Sequence, residues 1–335
     1  MLIRRLSSDS DFADRAALLS ARNLKTPCRV NGLHWGAFFQ NDMVGTLSAF
    51  GSTLMGLAVS KEAENAGIAT RLIQTAVTEL LVSGQKNVRV FTKSAEAPKL
   101  VSLGFNLVEK TDAVALLEWN DDFSRYAAQL NKTLGGLKDS ASAVVINANP
   151  FTLGHRFMIE KALATSEVVC VFVVSEDVSF FPFLNRFKYV QLGLADLEKT
   201  QKVKILPSGP YMVSLASFPS YFIRSSDKAK VHAELDIKLF AKLANRLGIH
   251  KRFFGSEPFS ETTAVYNDLM KKDLPRLGVT AVEIPRMMVR GKEVSASYVR
   301  DLVANRSLEQ VREFVPASVF NEIRNFVQSL KNHES

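Results

Sequence analysis

With 335 residues, 47% of them hydrophobic and 23% charged, the chain has the composition of a folded globular protein and enough length for two cores. No apolar run reaches membrane-spanning length, and the opening MLIRRLSSDSDF lacks the apolar centre of a signal peptide, so no membrane is expected and the cytoplasm is the expected location. Of the net charge of +8, residues 1–125 supply 14 Lys and Arg against 13 Asp and Glu, and residues 126–335 supply 28 against 21; the excess is scattered, which favours a phosphorylated small molecule or an acidic protein over nucleic acid. Two cysteines, Cys28 and Cys170, make neither a disulfide framework nor a metal cluster, and Cys170 inside VVCVFVV reads as a core thiol.

Residues 2–6 read as a strand. Residues 11–23 have helical spacing in Phe12, Ala16, Leu18 and Leu19, with Asp9 or Ser10 as N-cap. Three strands follow at 34–39, 43–50 and 54–60. Gly67 then opens a helix whose apolar face is Ile68, Leu72, Ile73, Ala76, Leu80 and Leu81. A strand at 88–92, a helix at 95–103 and a strand at 105–108 complete a first domain over residues 1–120. The stretch 121–140 reads as a connecting helix carrying Phe123, Tyr126, Ala127 and Leu130 and closed by Gly135-Gly136.

From residue 141 the pattern alternates: strand 143–147, helix 155–165, strand 168–174, helix 185–196, strand 203–206, helix 228–247, strand 252–255, helix 262–272, strand 279–284. Alternation of this kind predicts a parallel sheet covered by helices, with the ligand at the carboxyl ends of the strands. The run Val144 to Ala162, VVINANPFTLGHRFMIEKA, passes from strand through tight turn to helix at such an end. There, free backbone N–H groups and the positive end of a helix suit a phosphate. His155 follows a glycine that leaves room for a ligand, and its imidazole can donate to a phosphate oxygen as charge builds up; Thr152 can donate beside it. Near the other end of the chain, Ser295 and Ser297 with Arg300 start a second helix with hydroxyls and a guanidinium, a set that suits a polyphosphate. Arg186 and Lys188 follow Phe181-Pro182-Phe183, either reaching phosphates or lying on a solvated helix face. Gly255-Ser256-Glu257-Pro258 ends a strand, where adenine or ribose is commonly met. Tyr266 and Asn267 read as packing, and Met287-Met288-Val289 as core.

The element order of the first domain resembles the GCN5-related acetyltransferase fold. Glu64 to Ala69 stands at that family's pyrophosphate turn, with Gly67 and Ala69 keeping the small residues and Glu64 replacing a polar or basic one. Ala97 to Phe105 is similar to the later helix ending in Gly-Phe, with Val101 near the position of the general-acid tyrosine. That domain therefore binds coenzyme A, docks a carrier arm or supports its neighbour.

Thr152-Leu153-Gly154-His155 and Ser295 to Arg300 together resemble the two signatures of the HxGH-type nucleotidyltransferases, whose domain is Rossmann-like. The wider wording resembles the citrate lyase ligase family, which also places an acetyltransferase-like domain in front. It includes Asn147 to Arg156, Phe181-Pro182-Phe183 with Arg186, Phe218 to Phe222, Gly255 to Phe259, and Tyr266-Asn267. That resemblance implies an α/β chain with a nucleotidyltransferase domain over residues 141–335. It implies ATP with Mg²⁺, acetate, and a citrate lyase acyl carrier subunit whose phosphoribosyl-dephospho-coenzyme A arm takes the acetyl group. On it, His155, Thr152 and Arg300 are the catalytic residues, and Asn147, Asn149, Phe151, Gly154, Arg186, Gly255, Glu257, Ser295 and Ser297 bind the nucleotide. Two other functions stay open: nucleotidyl transfer onto a phosphorylated cofactor precursor, and non-catalytic nucleotide sensing or carrier docking.

Overall fold

The computed structural model describes residues 1–27, 29–137, 140–177, 179–212, 218, 222–223, 227–257 and 260–334, the last four as backbone only. Cys28, Pro258, Phe259 and residues 219–221 lie outside the described residues. The chain forms two compact units, one of residues 1–125 with 219–231 and one of 126–218 with 232–335.

The first unit begins with β1 (Leu2–Arg5) and α1 (Asp9–Ala21). The helix starts earlier than the apolar spacing indicates, because Ser8 is its N-cap: Ser8 Oγ accepts from Asp11 N–H and the Asp11 carboxylate accepts from Ser8 N–H. The same carboxylate takes both ends of the Arg4 guanidinium at 2.7 and 2.8 Å, which holds it well below the usual carboxylate range. Strands β2 (Leu33–Phe39), β3 (Asp42–Phe50) and β4 (Thr53–Val59) form the meander. Then come α2 (Ile68–Val82), β5 (Arg89–Lys93), α3 (Ala97–Ser102), β6 (Asn106–Lys110) and β7 (Val114–Glu118). The seven strands run in the order β1-β2-β3-β4-β5-β7-β6.

Helix α2 buries Ile68, Leu72, Ile73, Ala76, Val77 and Leu80 in one core with Trp35, Leu47, Leu54 and Leu117, whereas Leu81, expected on this face, is exposed. Gly45 lets the helix close on the sheet, since a Cβ there would meet Ile68 at 2.7 Å. Strand β7 goes unmarked in the sequence pattern because all five of its residues are buried, so it shows none of the alternation that advertises a half-exposed strand. β4 and β5 pair in parallel only at Thr53–Arg89 and Leu54–Val90. Beyond that point the unit has a cleft of about 690 Å³, lined by Leu57 and Val59 on β4, Thr92 and Lys93 on β5, and the turn Glu64 to Ile68.

Helix α4 (Asp122–Leu134) leads to β8 (Ala141–Ile146), α5 (Leu153–Leu163), β9 (Val168–Val173), α6 (Phe183–Gly193), α7 (Ala195–Glu198) and β10 (Val203–Pro207). α8 (Lys228–Leu247), β11 (Ile249–Gly255), α9 (Glu261–Asp273) and β12 (Thr280–Ile284) follow. A two-stranded pair, β13 (Met288–Val289) and β14 (Lys292–Glu293), precedes α10 (Ala296–Ala304), α11 (Leu308–Val311) and α12 (Ala317–Glu334). The second sheet is parallel throughout in the order β10-β9-β8-β11-β12. β8 therefore lies beside β11, and strand order reverses there, the point at which open α/β sheets leave a crevice beyond their carboxyl ends. β8 and β9 are almost wholly buried; Cys170, as expected, is a core thiol whose pKa burial pushes up to about 12. Around them α5, α6, α10 and α12 contribute Ile159, Tyr189, Val190, Val299 and Phe320 to one core.

Candidate active site

Beyond Ile146 the chain turns sharply. Ala148 is buried in a left-handed conformation (φ 51°), the Asn149-Pro150 bond is cis, and Thr152 in extended conformation caps α5. The cap is reciprocal: His155 N–H donates to Thr152 Oγ1 at 3.4 Å, and Thr152 N–H donates to His155 Nδ1 at 3.0 Å. A ring nitrogen that accepts from a backbone N–H carries no proton of its own, so the neutral imidazole bears its hydrogen on Nε2. Phe151 stacks on the imidazole (centroids 5.6 Å apart, planes at 17°) and holds it from behind.

Burial, with a smaller contribution from the Arg286 charge, lowers the His155 pKa to about 4. In the unliganded protein the His155 C2–H NMR resonance should therefore stay at its neutral-ring position from pH 8 to about 5. An inflection near 6.5 would contradict the capping geometry. With the folded pKa below the unfolded one, the unfolded chain binds the extra proton first. This residue's contribution to stability is thus complete above about pH 6.5 and is lost as the pH falls toward 4.

Ser295 caps α10 in the same manner, accepting from Tyr298 N–H at 3.1 Å, and its hydroxyl lies 3.2 Å from that of Ser297. The two caps meet. Arg300 Nη1 donates to the Asn149 carbonyl at 2.6 Å across 151 residues of sequence. Gly154 sits against the residue before the second cap, where a Cβ would meet the Val294 carbonyl at 3.2 Å. The glycine thus makes room for the second motif. Asn149 Oδ1 accepts from Phe181 N–H at 3.1 Å, which turns its amide N–H₂ group to the other side.

These residues line a cavity of about 510 Å³ at the carboxyl ends of β8, β11 and β12, within the size range of small-ligand sites. It brings together Asn147, Asn149, Thr152, Gly154, His155, Gly255, Glu257, Ser295, Ser297 and Arg300. Asn267 donates to the Gly255 carbonyl at 3.0 Å, the packing role expected of it. Tyr266 is likewise internal, its hydroxyl donating to Asp236 and accepting from Arg252.

Two residues expected to touch the nucleotide do not line this cavity. Phe151 is fully buried, its ring filling the space behind His155 and beside Gly193. Arg186 is also fully buried, its guanidinium engaged by Phe181 O, Asn147 O and Oδ1, Val174 O and Glu176 O. Helical position alone does not reveal that a guanidinium points inward. Lys188 pairs with Glu322 at 2.8 Å on the surface. Met287 packs on the core and lines the cavity, while Met288 is exposed.

Arg286 is a charged cavity residue that sequence reasoning missed. Its Nε donates to Ser256 O at 2.9 Å and its Nη2 to Glu257 at 2.5 Å, joining the ends of β11 and β12. The rule that ligands meet strand ends, applied to Ile284-Pro285-Arg286 as it was to Gly255, would have found it. In the first unit's cleft, the Glu64 carboxylate is paired with Arg22, whereas Val101 is exposed and does not line the cleft.

The sequence model of the citrate lyase ligase C-terminal domain matches residues 141–323. The chain is 32% identical to the citrate pro-3S-lyase ligase of Klebsiella pneumoniae over 302 residues, covering 88% of this chain and 87% of that one. It is 31% identical to the same-named proteins of Haemophilus influenzae (82% and 83% covered) and Escherichia coli (83% and 80% covered). Among solved structures, Escherichia coli ElaA is 12% identical with a TM-score of 0.31, over 36% of this chain and 99% of that one. By its family model and by three relatives aligned over more than four fifths of its length, the chain belongs to the citrate lyase ligase family of enzymes.

Proposed function

We propose that this protein adenylates acetate with ATP and passes the acetyl group to the thiol of the prosthetic arm on a citrate lyase acyl carrier subunit, releasing AMP and diphosphate. The observation that carries the reading is the Arg300–Asn149 clamp, which sets two capped helix starts and a neutral imidazole around one cavity. A carboxylate oxygen of acetate forms a bond to the α-phosphorus while the bond from that phosphorus to the α–β bridging oxygen breaks, and diphosphate leaves with the electron pair. The thiolate then attacks the carbonyl carbon of the mixed anhydride and AMP departs.

In the first step the work is positioning and charge stabilisation. His155 Nε2–H donates to the α-phosphate without first having to lose a proton. Asn149 and Thr152 orient that phosphate, and Ser295, Ser297 and Arg300 take the departing diphosphate at the start of α10. Among the described residues the cavity offers one carboxylate, Glu257, already paired with Arg286, alongside the two serine hydroxyls. Such a donor set fits a magnesium ion held chiefly by the triphosphate oxygens, where it would neutralise charge on the leaving group.

Exchange of labelled pyrophosphate into ATP tests the adenylate step without the partner protein. Exchange that requires acetate is the expected result. Exchange that proceeds equally without acetate would favour nucleotidyl transfer onto another acceptor, and no exchange with acetate and Mg²⁺ in folded protein would sink the adenylation step.

A further inference from the structure

The cavity has two chemically different ends. At the starts of α5 and α10 it presents donors: His155 Nε2–H, the Ser295 and Ser297 hydroxyls and the Arg300 guanidinium. At the ends of β11 and β12 it presents an acceptor, the carboxylate of Glu257, whose side chain is 13% exposed. A nucleoside triphosphate has the matching polarity, with acceptor oxygens along its phosphates and hydroxyl donors on its sugar.

Glu257 is held at both of its oxygens. Arg286 Nη2 donates to Oε2 at 2.5 Å while its Nε donates to the Ser256 carbonyl at 2.9 Å, and the N–H of Ser260, ahead of α9, donates to Glu257 Oε1 at 3.2 Å. Glu293, which does not line the cavity, comes within 3.6 Å of Arg286 Nε. Two carboxylates share one guanidinium here, so this end offers no site for an anion and suits a neutral group that donates. A carboxylate has about four lone-pair sites and accepts several donors at once. The guanidinium also damps the repulsion that a bare Glu257 would exert on a triphosphate in the same cavity.

Distance along the nucleotide decides which donors meet this carboxylate. The Arg286 charge is felt at His155, whose pKa it helps to lower, so the pair stands near the imidazole assigned to the α-phosphate. The sugar is joined directly to that phosphate, and the base lies beyond the sugar. We infer that Glu257 accepts hydrogen bonds from the ribose hydroxyls of the nucleotide and that Arg286 is the positioning residue that fixes its carboxylate, so that the pair selects ribonucleotides over deoxyribonucleotides. The inference rests on the reading of this cavity as the ATP site and names the groups that set its sugar specificity. Glu257 touches the substrate; Arg286 acts through Glu257.

Calorimetric titration of the full-length protein with ATP, 2′-deoxy-ATP, 3′-deoxy-ATP and inosine triphosphate, each with Mg²⁺ and without acetate, reads binding alone. The parent should bind ATP roughly 10–100-fold more tightly than at least one deoxy analogue, the range for a hydrogen bond to a charged acceptor. Glu257→Ala should bring that preference to within about threefold and leave the ratio of ATP to inosine triphosphate as in the parent. Arg286→Ala should raise the Kd for ATP roughly tenfold and shrink the same preference, and Arg286→Lys should restore part of it by keeping a cation beside Glu257. Equal binding of ATP and both deoxy analogues by the parent overturns the assignment without any variant, as does a sugar preference that survives Glu257→Ala. If Glu257→Ala instead erases the ratio of ATP to inosine triphosphate, the carboxylate reads the base and the ribose assignment falls. Acetate-dependent pyrophosphate exchange reports separately on adenylation: its absence would remove that reading, while the binding ratios still decide the sugar subsite.

Discussion

Replacing His155 with alanine should lower acetate-dependent pyrophosphate exchange by about 10²–10³-fold, the usual cost of one preorganised donor to developing charge. The loss should fall on kcat more than on the KM for ATP, because the imidazole is proposed to act on charge that builds up at the α-phosphate. His155→Gln offers a partial control, since its amide oxygen can accept from Thr152 N–H as the imidazole Nδ1 does and its N–H₂ can donate, though not from the position of Nε2. Near-normal exchange in His155→Ala protein would remove this residue from the chemistry. Its cap on α5 would survive in part, as Thr152 Oγ1 keeps its bond from the residue 155 N–H. A fall in activity should therefore come without a comparable fall in stability.

Arg186→Ala should show the opposite balance. The substitution strips a bond donor from five buried or part-buried oxygens at the ends of β8, β9 and the loop entering α6. With unsatisfied buried acceptors costing roughly 1–3 kcal/mol each and water repairing some of them, a loss of about 3–5 kcal/mol is expected, read as a shift in the urea midpoint of the second unit. Arg186→Lys should recover little of this, since three donors on a flexible stem cannot span acceptors arranged around a planar fork. A change below about 1 kcal/mol in either variant would show that these bonds are not what holds the strand ends together.

The two predictions separate residues that the sequence treats alike. Both His155 and Arg186 sit in motifs resembling one family, and both were expected at the nucleotide. His155 is presented to the cavity because its own backbone and Thr152 turn the ring, a local device readable from the Thr-x-x-His spacing at a helix start. Arg186 is aimed by contacts with β8 and β9, elements 10 or more positions away in sequence, and no local pattern encodes that direction. Phe151 is misassigned for the same reason: an aromatic next to a phosphate turn reads as a ligand contact, and only the packing of Gly193 against it shows that it faces the core.

What the sequence determined by itself is the set of features whose causes are local. The parallel sheet follows from alternating apolar runs and amphipathic helices, the two capped helix starts from a hydroxyl residue ahead of each helix, and the first unit's strand-and-helix order, apart from β7, from spacing around Gly67. The tertiary structure alone decided the rest. It placed β8 beside β11 and β11 beside β12, so that one strand end delivers His155, the next Glu257 and the third its partner Arg286 to a single cavity. It seated Arg300 on the Asn149 carbonyl, and it sank Arg186 beneath Asn147. Each of these depends on which strand ends and helix starts become neighbours, and that is settled by packing across the whole sheet, where burial of many small apolar contacts outweighs any single residue's local preference.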